Sequence, residues 1–188
     1  MDKPLSSLHE APSWGRVLKH GMVVWTRTAV LRSLSIGILY CPVGLGLGAF
    51  AAYEAIGEGY RFFPLYGGVA ALITCSVLWW LIIERPCHRG VAAGIVAGAL
   101  AGLLSHPVCW YLKILAANIG YWVLRTGAYS SSLGEPPVDP LNGLWGAFVL
   151  SLWSWLFFGW VTIPSGGIIG GLFARLLKRS CRTSVSGS

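Results

Sequence analysis

Four stretches of this chain are long and apolar enough to cross a lipid bilayer, and no other feature limits the fold so severely. A crossing takes about 20 predominantly apolar residues for roughly 30 Å of hydrocarbon. The qualifying segments run from about Leu34 to Tyr53, Phe63 to Ile83, Val91 to Leu112 and Leu144 to Ile163, the last with a helical extension to Leu177. Backbone groups in hydrocarbon must be satisfied within the segment, which makes each of them a helix. Pro42, Pro107 and Pro164 produce kinks that neighbouring helices accommodate. The expected fold class is an all-α integral membrane protein: a four-transmembrane-helix bundle with an N-terminal amphipathic interfacial helix.

Composition removes the alternatives. With 55% hydrophobic and 11% charged residues, 188 residues supply too little polar surface to coat a soluble globule. Twenty-five Gly and ten Trp beside seven acidic residues argue against a disordered chain or a coiled coil. The five cysteines, Cys41, Cys75, Cys87, Cys109 and Cys181, have no CxxC spacing, and three sit in apolar segments as small buried thiols. The first thirty residues carry Arg16, Lys19 and Arg27 and offer no clean apolar core for a signal peptide.

The net charge of +7 would point to nucleic acid in a soluble protein, but here the charges are sorted by position. Four crossings put both termini on one side. All of the fourteen Lys and Arg residues except Arg61, Lys113 and Arg125 fall on that side. The positive-inside rule then makes both termini cytoplasmic, and no nucleic-acid partner is expected. A fifth span would carry the basic C-terminus outside and is rejected. The stretch Ile114 to Leu124 is read as an extension lying at the outer interface, with Trp110, Tyr111, Tyr121 and Trp122 at headgroup level, and Gly127 to Pro140 as an outer loop.

The chain therefore divides into a cytoplasmic segment (1–33), a membrane domain (34–177) and a basic tail (178–188). Between Trp14 and Thr28, Trp14, Val17, Leu18, Met22, Trp25 and Ala29 share one helical face, with Arg16, Lys19, His20 and Arg27 opposite. Arg16, Lys19, Arg27, Arg175, Lys178 and Arg179 are the residues expected to meet anionic lipid or a cytoplasmic partner.

Catalytic chemistry finds little support. The span interiors hold almost no ionisable residues, and Glu54 and Glu84 lie at opposite ends of their helices, too far apart for an acid/base pair. Cys87 and His88 near Glu84 lack a second ligand pair for a metal. Ser165-Gly166-Gly167 has neither a positioned base nor a Walker ending. His106 is either a protonatable gate or a hydrogen-bonding group between helices or at the headgroups; its expected place near the outer end favours the second role. No catalytic residue, metal or cofactor is expected.

The most specific pattern concerns packing. Gly90, Gly94, Gly98 and Gly102 recur every fourth residue in the third span, Gly166 and Gly170 repeat the device in the fourth, and Gly44 and Gly48 form a shorter pair in the first. Such a face lets another backbone approach closely. The partner helix belongs either to the same bundle or to a neighbouring subunit. These features lead to the expectation of a non-enzymatic membrane subunit or accessory protein, with a small oligomeric channel or transporter as the alternative. A bacterial inner membrane is the expected location, with lipid, other membrane subunits or a second copy, and a cytoplasmic protein as partners.

Overall fold

The computed structural model describes residues 14–55, 58–86, 90–125 and 136–185, with side chains described for 27–55, 59–86, 90–125 and 136–178. The fold is all-helical, with no strand among the described residues. Helix α1 spans Trp14–Glu54, and a short 3-10 turn at Glu58–Tyr60 leads to α2, Phe63–Trp79, which a π-type turn carries on through Glu84. Helix α3, Val91–Asn118, continues as a π turn to Val123. Helix α4, Pro140–Ser154, runs through a third π turn, Trp155–Gly159, into α5, Trp160–Val185. Four stretches are long and apolar enough to cross a membrane: Arg27–Glu54, Phe63–Glu84, Val91–Val123 and Pro140–Lys178, of 28, 22, 33 and 39 residues.

The helix starts follow local chemistry. Pro64 in the first turn of α2 and Pro140 at the start of α4 carry a φ already suited to a helix and lack an N–H that would have no partner there. Asp139 caps α4, its carboxylate accepting from the amides of Leu141 at 3.1 Å and Asn142 at 3.3 Å. Pro42, Pro107 and Pro164 all lie inside helices that continue past them.

Two antiparallel pairs, α1 with α2 and α3 with α5, join across a shared core. Ile36 and Tyr40 of α1, Ala71, Cys75 and Trp79 of α2, Ala97 and Ala101 of α3 and Ala174 of α5 are all buried in it. Near the opposite end Phe63, Ala70 and Cys109 form a second cluster. Helix α4 rests on α3: Trp110 Nε1 donates to Ser154 Oγ and Asn118 Nδ2 to the Val138 carbonyl, each at 2.9 Å. Directly after α4, Trp155 Nε1 donates to the Leu103 carbonyl at 2.8 Å.

Several expectations need correction. The N-terminal stretch is not a separate interfacial helix: α1 is continuous from Trp14 into the first span, because nothing between them breaks a helix. Most of its proposed polar and apolar faces, Arg16 and Lys19 included, fall on side chains outside the described residues; of the rest, Arg27 is exposed and Ala29 buried. The third apolar stretch does not end at Leu112: the helix runs on past Lys113 through Val123, so Ile114 to Val123 prolongs α3. The fourth span starts at Pro140, four residues before Leu144. Most of the loop from Gly127 to Pro140, and Cys87 and His88, lie outside the described residues, as do the side chains of Arg179 and Cys181.

Candidate functional site

The glycine ladder of α3 meets α5 of the same chain. A Cβ on Gly94 would lie 2.6 Å from the Gly170 carbonyl oxygen, and one on Gly98 would fall on the Gly166 carbonyl group, 2.6 Å from its carbon. On Gly102 it would collide with the backbone of Thr162, 2.7 Å from the carbonyl carbon. The contact is reciprocal, since Gly166 and Gly170 have the carbonyls of Gly98 and Gly94 in the same relation. Backbone lies against backbone at three successive four-residue steps of α3, a contact that glycine at those positions permits. Gly90 takes no part. It precedes the first turn of α3 in an extended conformation, with open space where a Cβ would point.

Gly44 and Gly48 build a second seam with α2. A Cβ on Gly44 would fall on the Gly67 carbonyl, and one on Gly48 would lie 2.7 Å from the Phe63 carbonyl oxygen. Gly37 extends this seam toward Leu72 and Ser76. Gly37 and Gly67 were not singled out in the sequence; Gly67 has no regularly spaced glycine partner in its own helix to mark it.

Polar groups gather where the two pairs meet. Tyr40 Oη donates to the Thr162 carbonyl at 2.8 Å, and His106 Nε2 lies 2.9 Å from Thr162 Oγ1. With the His106 proton on Nε2, the Thr162 hydroxyl accepts that bond and donates to the Phe158 carbonyl, 3.2 Å away; with the other tautomer, the hydroxyl donates to Nε2. His106 is buried in the bundle and bonds across helices, in a neighbourhood that includes Gly44 and Gly67. A space of about 50 Å³ adjoins it, bordered also by Ser105, Trp110 and Thr162, enough for ordered water beside polar groups. Thr162→Val is expected to lower stability by about 0.6 to 1.7 kcal/mol, the range for interhelical hydrogen bonds in membrane bundles. Reversible unfolding in mixed micelles measures this, and an unchanged midpoint would remove the bond's structural role.

Two neighbouring hydroxyls also bond back to their own helices. Ser165 Oγ donates to the Thr162 carbonyl at 3.1 Å and Ser105 Oγ to that of Gly102 at 2.9 Å. Among the described residues no three His, Cys, Asp or Glu side chains come together as a metal site.

Charges mark the two ends of the bundle. At one end Glu84 is only 2% exposed and lies 4.0 Å from Arg32, which joins α1 to the end of α2. Arg27, Arg85, Arg175 and Lys178 are exposed at this same end, which is strongly basic. Glu84 looked like a boundary residue in the sequence, because residue order does not reveal which way the end of a span is rotated. At the opposite end Lys113 Nζ sits 4.0 Å from the ring centre of Tyr60, 5.2 Å from Trp110 and 5.7 Å from Phe63. Three aromatic faces around one ammonium explain how a lysine is held inside an apolar helix. No protein-family model matches the chain, and no curated protein or solved structure matches it significantly.

Proposed function

We propose that this chain is a non-enzymatic, multi-pass membrane subunit or accessory protein of a bacterial inner membrane. Both termini are cytoplasmic, and its basic end meets anionic lipid and a protein partner. The observation that carries this reading is the exposed set Arg27, Arg85, Arg175 and Lys178 at one end of a bundle closed by two backbone seams. The glycine faces are already occupied within the chain, so contact with another subunit falls to other surfaces. Helix α4 and the turn after it offer one, with Trp145, Trp153 and Phe157 at least 60% exposed. A small oligomeric channel or transporter is the competing reading.

Purification in mild detergent with mass measurement separates these readings. A partner subunit or a second copy is expected to co-purify, and replacing Arg27, Arg175 and Lys178 by Gln together is expected to reduce its recovery several-fold. A strictly monomeric species would overturn the subunit reading, and ion flux in proteoliposomes would favour the channel. Orientation has its own test. An impermeant thiol reagent is expected to label Ser131→Cys but not Ser184→Cys in intact cells, in a background free of native cysteines. The reverse pattern would invert the topology.

A further inference from the structure

Beside the glycine seam, on the outer surface of the bundle, α3 and α5 flank a shallow, open apolar groove of about 510 Å³. Ala99, Gly167 and Gly171 border it with small residues, while the exposed side chains of Ile95, Ile168 and Leu172 supply larger apolar walls. Its lining runs along α5 from Ile163 to Arg175. Twelve residues of rise make this about 18 Å, comparable to a lipid acyl chain lying along the helix. Every lining residue is uncharged except Arg175, which stands at the end where Lys178 follows one turn later. Helix α3 begins at that end as well, with Val91 in the lining and no side chain capping its first turn.

We propose that this groove is a binding site for one anionic phospholipid, with an acyl chain along Ala99, Gly167 and Gly171 and the phosphate at Arg175. The inference rests on the membrane reading above and adds a ligand to it. The single cation at one end of an otherwise apolar slot matches the arrangement of charge and chain in such a lipid. It also gives adjacent glycines separate tasks. Gly166 faces the backbone of Gly98, whereas a Cβ on Gly167 would make only ordinary contacts, 3.5 Å from Ile95 Cγ2 and 3.8 Å from the Ala99 Cβ. A larger side chain at Gly167 is therefore expected to fill the groove with far less disturbance of the seam than one at Gly166.

Native mass spectrometry of the delipidated protein, incubated with equimolar phosphatidylglycerol and phosphatidylcholine of identical chains, tests the proposal. The wild type is expected to retain the anionic lipid about fivefold more than the zwitterionic one, the effect of one basic residue near the headgroups. Arg175→Gln is expected to equalise the two adducts. Gly167→Leu is expected to lose both while still fractionating with membranes, and Ala99→Leu is expected to do the same from the α3 side. Equal retention by the wild type, adducts unchanged in the variants, or a second copy seated on the groove would each overturn it. Partner recovery measured on the wild type keeps the two readings apart: a co-purifying partner with equal retention of the two lipids sinks only the lipid site, and no partner with a preserved anionic preference sinks only the partner reading.

Discussion

Gly98→Leu is expected to disrupt the α3–α5 pair without preventing the chain from entering the membrane. Its first side-chain atom would fall on the Gly166 carbonyl, and backbone cannot swing aside as the end of a flexible side chain can. The helices must separate or rotate, which breaks the contacts at Gly94 and Gly102 along the same seam. A loss of about 3 kcal/mol or more follows, at or above the upper end for overpacking a tight interior. Insertion survives because Leu raises the hydropathy of the span. Unfolding in mixed micelles should show the loss, while membrane fractionation stays normal. Gly90→Ser is the contrasting variant: the site is open, its backbone is extended and Ser is a good helix cap, so stability should hold or rise slightly. Equal behaviour of the two variants would mean that α3 does not seat α5 through this face.

Trp79→Ala should produce the other large effect. Trp79 is 1% exposed, packs edge-on against Phe173 with ring centres 5.2 Å apart, and fills the core between α2 and α5. Removing the indole leaves a cavity that rigid helices close only in part, at a cost of about 3–5 kcal/mol. Trp79→Phe should cost less than half as much. It retains a ring in contact with Phe173 and removes an indole N–H that is buried without a hydrogen-bond partner. Thermal unfolding in detergent compares the two, and a phenylalanine variant as unstable as the alanine one would contradict this account.

The two variants also show what the residues announce on their own. Membrane-length helices are legible because uninterrupted apolar character over a bilayer's thickness is a property of composition. The spacing of Gly94, Gly98 and Gly102 marks a close-packing face, because four residues return nearly to the same side of a helix. What lies against that face depends on tertiary pairing. Gly67 matters for its place opposite Gly44, which no glycine spacing in its own helix reports; Thr162 stands one four-residue step before Gly166 and Gly170, but that step gives no sign that Tyr40 and His106 also meet it. Lys113 misled for a related reason: its charge looks like the end of a span until Tyr60, Phe63 and Trp110 are seen around it. Tyr40 and Thr162 meet across more than a hundred residues of sequence, so their hydrogen bond had no local signal.

The unequal lengths of the rods have a mechanical consequence for the surrounding lipid. At about 1.5 Å per residue, the helix through Phe63–Glu84 is about 33 Å long and the one through Pro140–Lys178 about 58 Å. No charged side chain interrupts the latter between Leu141 and Ala174. A flat bilayer of uniform thickness cannot match both flanks of such a body. The short flank suits an ordinary membrane, while the long one must lean, draw the leaflets thicker around it, or sit where the membrane is already thick. Each Å of mismatch costs only a fraction of a kcal/mol, but the cost accumulates along the rim. In a bilayer, helices of such unequal length are expected to make membrane thickness a variable that biases tilt and lateral distribution.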